Sequence, residues 1–474
     1  MSRSTAAPGG TTSSVPPGAP AGDRPGAWLD PGRPVPDLVT EVPGPRGRRV
    51  LERDGRVTSP SLPRAYQLVP RRGFGAVVED VDGNLFLDAN AGIAVASTGH
   101  AHPTVVEAVR RQAGDLLHYS ASDFYLPIYS ELCEALAATA PMPGPVRVFL
   151  TNSGTEAVEG AVKLARAATG RQYVISYFGA FHGRTYGSVS LTASKAKYHQ
   201  GFGPLLPGVL HAPYGYCHRC PINLSYPECE LATVDYLEQT LFRYEVDPSE
   251  VAAVIVEPVL GEGGYVVPPP GWLAKLAETC RRHGILLIAD EVQSGAGRTG
   301  RMWAIEHSGV EPDVVCSAKG IASGLPLGAF MARAELMTWT AGAHGSTYGG
   351  SPVPCAAGLA TLEALRDERL LENAAEQGAY LMDGLRKLQA RTPWLLEDVR
   401  GLGLMIGLEF PSAHIAEEVQ NAAFRRGLLV LEAGESAVRL SPPLVIDRDQ
   451  CETALWLLAE ALEEVETSFG DLRP

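Results

Sequence analysis

The stretch Ile285–Lys319, ILLIADEVQSGAGRTGRMWAIEHSGVEPDVVCSAK, decides the reading of this chain. One apolar run, Ile285 to Ala289, stops at Asp290 and Glu291; a second, Val314 to Ala318, stops at Lys319. Short apolar runs bounded by turn residues suit the buried central strands of a parallel sheet, and open α/β sheets bind ligands beyond the carboxyl ends of such strands. The pattern therefore predicts an acid and a lysine delivered to one sheet edge by neighbouring strands.

Upstream, strands and helices alternate. Strands are expected at Val146–Leu150, Tyr173–Tyr177 and Val251–Val256, and helices over Thr104–Leu117, from Thr155, and over Trp272–His283. Such alternation marks a sheet with helices on both faces. Before it, AVVEDVDGNLFLDANAGIAV turns at Asp82-Gly83, which predicts a hairpin. Beyond Tyr348, long helices (355–370 and 371–390) precede short strands at 404–410, 428–432 and 438–440 and a last helix from Gln450, a pattern that suits a smaller α+β domain. The domains expected are a Pro/Gly-rich disordered tail, 1–48; an N-terminal segment joining the small domain, 49–101; a large domain, 102–349; and a C-terminal small domain, 350–474. The tail holds ten of the 37 prolines, a composition that buries too little apolar surface to offset its ordering entropy.

Forty basic against 54 acidic residues give a net charge of −14, which disfavours nucleic acid and anionic membrane as partners. Eight scattered cysteines, the lack of a signal-peptide pattern after Met1 and the lack of a membrane-spanning run predict a soluble, cytoplasmic protein.

The chemistry starts from Lys319. A lone lysine at a strand end is ordinarily a snorkelling surface residue. A lysine that forms a Schiff base needs a site that lowers its pKa, and pyridoxal phosphate needs an acid facing its ring nitrogen, the place Asp290 could take. TNSGTEA at Thr151 follows a strand and opens a helix, so its free N–H groups suit an anion as well as an ordinary N-cap by Ser153 or Thr155. FHGRT at Phe181, Glu257-Pro258 leading into Gly261-Glu262-Gly263-Gly264, and TYGG at Thr347 fall at further strand ends or loops.

Together with AGIAV at Ala91, GHAHP at Gly99, DEVQSGAGRTG at Asp290, AKG at Ala318, RGLGLMIGLE at Arg400 and RLSPPL at Arg439, these blocks resemble the class III pyridoxal-phosphate aminotransferases, which include 4-aminobutyrate, ornithine and acetylornithine aminotransferases. The resemblance runs from about Phe74 to the C-terminus. It implies a fold type I α/β architecture: a mostly parallel sheet in the large domain and a smaller α+β domain built from both chain ends. It implies that Lys319 holds the cofactor and moves a proton, and that Asp290 pairs with the ring nitrogen. Val292 would pack behind the ring, Gln293 would approach its phenolic oxygen, and Phe181 would stack on the open face with His182 beside it. Ser153, Gly154 and Thr155 would bind the phosphate, Glu257 would lie in the cofactor site, and Thr347 would reach the phosphate of a partner subunit, making a homodimer with shared active sites. Arg439 would take the substrate α-carboxylate and Arg184 a distal carboxylate. Glu262 would gate Arg439, and Ile93 would line the substrate site.

The function this implies is transfer of an amino group from an ω-amino or α-amino acid, 4-aminobutyrate- or ornithine-like, to 2-oxoglutarate by a ping-pong mechanism. One loop departs from the common pattern. YCHRCPINLSYPECEL places Cys217, Cys220 and Cys229 close in sequence, the ligand types of a metal site that lacks a second CxxC; the expectation is no metal, with these three as weak candidates. The loop resembles an insertion in an archaeal branch that includes amino-acid racemases, so a racemase or epimerase on the same scaffold is the alternative. A non-catalytic cofactor- or metal-binding protein is the remote one. His100 and His102 are read as shaping a turn, and Trp272 and Trp303 as core.

Overall fold

The computed structural model describes residues 24–470. Its centre is a seven-stranded sheet made of β4 (Val146–Thr151), β5 (Tyr173–Tyr177), β6 (Val209–Ala212), β7 (Val251–Val256), β8 (Leu286–Asp290), β9 (Val314–Ser317) and β10 (Gly328–Arg333), after an N-terminal meander of β1 (Pro70–Phe74), β2 (Val77–Asp80) and β3 (Leu85–Asp88). The order across the large sheet is β4-β10-β9-β8-β7-β5-β6. All neighbours pair in parallel except β10, which runs antiparallel to both β4 and β9. Strands β7, β8 and β9 are buried at every position, which is why they are unbroken apolar runs. In register Asp290 faces Cys316, so β8 and β9 end together and present Asp290 and Lys319 at one edge.

The C-terminal part adds β11 (Asp398–Leu402), β12 (Met405–Glu409), β13 (Leu428–Leu429), β14 (Leu431–Ala433) and β15 (Ala437–Leu440). Its sheet runs β11-β12-β15-β14, whereas β13 joins the N-terminal meander beside β3, so both chain ends build the smaller part. A strand expected over 428–432 is thus two strands in two sheets, divided at Val430. The expected helix at 355 starts at Pro352, and its first half, Cys355, Ala357 and Ala360, packs in the large-domain core while Leu365 belongs to the C-terminal core. The part of the tail within 1–23 lies outside the described residues. From Arg24 on, the chain departs from the expected disorder. Asp37 bridges to Leu85, Pro36 packs on Gly427, and a helix spans Pro45–Val57. No helix among the described residues is long and apolar enough to cross a membrane.

Candidate active site

The helix Gly154–Thr169 starts directly after β4, with Ser153 as its N-cap: the Ser153 hydroxyl accepts from Glu156 N at 3.4 Å. The N–H groups of Gly154 and Thr155 precede the first intrahelical acceptor, so they are open to an anion at the positive helix end. A Cβ on Gly154 would lie 2.6 Å from Val292 Cγ1, so only glycine lets the helix end close on Val292. The Thr155 hydroxyl bonds Thr185 at 2.8 Å and also Ser188.

Asp290 is buried. Its Oδ1 accepts from Val292 N at 3.0 Å, and Oδ2 accepts from His182 Nδ1 at 2.6 Å. That bond leaves His182 Nε2 buried without a protein partner, as is Gln293 Oε1. Glu257 joins two neighbours: Oε1 accepts from Phe181 N and Oε2 from Gly261 N, both at 2.8 Å. Burial pushes the Glu257 carboxyl up, with His182 opposing and Asp290 adding to the shift. Lys319 takes a left-handed conformation, φ +47°, that non-glycine residues rarely adopt. Burial drives its ammonium down from 10.5 to about 8, against the pull of Glu262.

Buried Arg439 pairs with half-buried Glu262, Nη1 to Oε1 at 2.5 Å. Burial disfavours the Glu262 carboxylate, but Arg439 and Lys319 outweigh it and hold its pKa below the usual value. Arg184 is exposed, and its guanidinium sits 4.0 Å over the Tyr198 ring and 5.4 Å over Phe181. Tyr198 and Lys195 were not singled out in the sequence. Burial and the charge of Glu262 raise the Tyr198 phenol, while burial and Lys197 lower the Lys195 ammonium against the pull of Glu262. No local spacing announces either, because the contacts span separate loops. Ile93 is exposed at φ +67°, in a run Ala91–Ala94 in which every φ is positive.

Thr347 is exposed, beside Ser346, whose hydroxyl accepts from Asn152 Nδ2 at 3.3 Å. Among the described residues no group of three or more His, Cys, Asp or Glu side chains is arranged to hold a metal, so Cys217, Cys220 and Cys229 are not assembled as ligands; they are free thiols. His100 pairs with Asp88 and His102 with Glu368, and Trp272 and Trp303 are fully buried.

The arrangement joins a lysine of depressed pKa, a buried acid with an oriented histidine, an anion cradle and a paired arginine. Residues 61–462 match the family model described as aminotransferase class-III. A 4-aminobutyrate aminotransferase of Mycobacterium tuberculosis is 39% identical over 452 residues, covering 92% of this chain and 98% of that protein. An alanine/serine racemase of Pyrococcus horikoshii is 37% identical over 445 residues, covering 91% and 94%. The solved omega transaminase from Pseudomonas jessenii in complex with PMP superposes with a TM-score of 0.83 at 30% identity, covering 88% and 98%. With this match along most of its length, the chain belongs to the class-III aminotransferase family.

Proposed function

We propose that the protein is a pyridoxal-phosphate-dependent aminotransferase that moves an amino group from an ω-amino or α-amino acid, of the 4-aminobutyrate or ornithine kind, to 2-oxoglutarate. The observation that carries this reading is the ion pair between half-buried Glu262 and buried Arg439, whose charges both act on Lys319. A carboxylate that can leave an arginine suits a site that must accept substrates with and without an α-carboxylate. The residues fit the cofactor: open first-turn N–H groups at Gly154 and Thr155, a Gly154 that no Cβ could replace beside Val292, and unpartnered buried atoms on His182 and Gln293. Ser153, Gly154 and Thr155 would bind the phosphate, Asp290 the ring nitrogen, Gln293 the phenolic oxygen, and Val292 and Phe181 the two ring faces. Glu257 would hold Phe181 in place through its backbone N–H.

When bound, pyridoxal phosphate supplies an electron sink for negative charge at the substrate carbon that bears the amino group. Lys319 would hold the cofactor and would carry the proton at the substrate carbon that bears the amino group, a task for which burial supplies more neutral amine than an ordinary lysine has. His182 orients the Asp290 carboxylate through its 2.6 Å hydrogen bond. Arg439 would bind an α-carboxylate and Arg184 a distal one, with Ile93 lining the approach. A second copy of the chain would complete the site through Thr347. Exposed Leu117, Tyr119, Phe124 and Tyr125, with Tyr119 and Phe124 in ring contact, support this, because their segment is joined to the Thr347 loop by the Ser122–Ser346 bond.

Steady-state kinetics with 4-aminobutyrate or ornithine and 2-oxoglutarate should give parallel double-reciprocal lines, the mark of ping-pong exchange. Intersecting lines, or no oxo-acid dependence, would count against transfer. The racemase relative favours one other reading, inversion at Cα without an oxo acid. Chiral analysis of L-alanine and L-serine after incubation distinguishes it.

A further inference from the structure

Strands β11, β12 and β15 align Arg400, Gly407 and Arg439 in one cross-strand row: Arg400 opposes Gly407, and Gly407 opposes Arg439. Residues opposite one another on adjacent strands share a face, so two guanidiniums flank a position with no side chain. The loop Gly261–Tyr265 lies in that notch. A Cβ on Gly407 would stand 2.8 Å from the Gly264 carbonyl oxygen and 3.1 Å from Tyr265 Cβ. From one side Arg439 grips the Glu262 side chain. From the other Arg400 grips backbone, its Nε and Nη2 donating to Gly264 O at 3.1 and 2.6 Å. Gly434 N adds a bond to Glu262 O at 2.7 Å.

Arg400 is itself locked. Its Nη2 donates to Glu409 Oε2 at 2.6 Å and its Nη1 to Asp398 Oδ2 at 3.0 Å. The buried Glu409 carboxylate also accepts from Tyr216 Oη at 2.8 Å and Ser436 Oγ at 2.7 Å, and pairs with Arg219 at 3.1 Å. Tyr216 and Arg219 flank Cys217 and His218. The cysteine-containing loop, which brings no metal ligands together, thus closes this network from the large-domain side.

We propose that Arg400 is a positioning residue for the substrate gate, seating the Gly261–Tyr265 backbone over Gly407 so that exchange of carboxylates at Arg439 is a movement of the Glu262 side chain alone. The Tyr216–Arg219 turn sets the firmness of that seat through Glu409. This rests on the gate role proposed for Glu262. A donor with only a distal carboxylate leaves Arg439 buried and needs Glu262 on it, because an unpaired buried charge is costly. A donor with an α-carboxylate needs Glu262 displaced. Loosening the seat therefore weakens the first kind of donor more than the second.

The test uses full-length holoenzyme carrying Arg400→Met, with Tyr216→Phe as the milder change should the first fail to fold. Hydrogen exchange of the peptide 258–266 should accelerate about tenfold in Arg400→Met, the factor expected on losing charge-assisted bonds to one carbonyl. The ratio of kcat/KM for 4-aminobutyrate to that for glutamate should fall in the same variant. Unchanged exchange in that peptide, or an equal loss with both donors, overturns the proposal. If the wild type transfers from neither donor, the functional reading fails, while the exchange measurement still decides whether Arg400 seats the loop.

Discussion

Replacing Lys319 with methionine should stabilise the cofactor-free protein while abolishing activity. Burial lowers the Lys319 ammonium from 10.5 to about 8. At 1.36 kcal/mol per pKa unit, that drop corresponds to native-state destabilisation on the order of 3 kcal/mol at pH 7. That drop is already net of the attraction of Glu262, Glu257 and Asp290; the imperfect fit of methionine in the space the lysine fills offsets part of the gain, leaving about 1–2 kcal/mol. Below pH 8 both folded and unfolded lysines are protonated, so the full advantage of methionine is present. Between pH 8 and 10.5 the folded lysine is neutral while the unfolded one still binds a proton, so wild-type stability rises with pH and the gap closes. Calorimetry at fixed protein concentration should place the variant's midpoint about 2–4 °C higher at pH 7, with the difference shrinking toward pH 10. A variant no more stable at pH 7, or an advantage that grows with pH, would refute the burial argument.

Asp290→Asn keeps an acceptor for His182 but removes the negative charge; kcat should fall about 10²–10³-fold, and a loss below tenfold in steady-state assays would remove Asp290 from its role. Gly154→Ala would push a Cβ to within 2.6 Å of Val292 Cγ1, so cofactor affinity in a fluorescence titration should weaken by about 1–3 kcal/mol, and the double variant with Val292→Ala should bind no more weakly than Val292→Ala alone. Arg439→Gln leaves the Glu262 carboxylate without its partner and should raise the glutamate KM by about 2–5 kcal/mol equivalent, with a smaller effect on 4-aminobutyrate. Thr347→Ala should weaken phosphate retention only if a second copy supplies Thr347. Mixing it with Lys319→Met and measuring cofactor content of the hybrid checks this.

Much of the large domain was legible because its central strands are buried on both faces and show as apolar runs: Val251–Val256 is buried throughout and was read to the residue. Strand β10 was not, since GAFMAR follows a glycine-rich turn and its place between β4 and β9 depends on antiparallel pairings far along the chain. The 428–432 run looked like one strand because hydrophobicity does not encode which sheet each residue joins. Asp290 and Lys319 could be placed at one edge because parallel neighbours end together. The left-handed backbone at Lys319, Tyr198 beneath Arg184, and Arg400 across Gly407 from Arg439 arise from tertiary packing, which leaves no periodic trace. The tail from Arg24 illustrates the converse: proline-rich composition predicts poor core formation, yet Asp37 and Pro36 dock on a sheet the tail does not itself build.

The most direct test of amino transfer is a single half-reaction. Holoenzyme is incubated with 4-aminobutyrate, ornithine, glutamate or alanine alone, without any oxo acid, and the cofactor is then identified by mass. The account predicts stoichiometric conversion to pyridoxamine phosphate with at least one of these donors, with one equivalent of the matching carbonyl product. Catalytic inversion of an α-amino acid with the cofactor unchanged would contradict it.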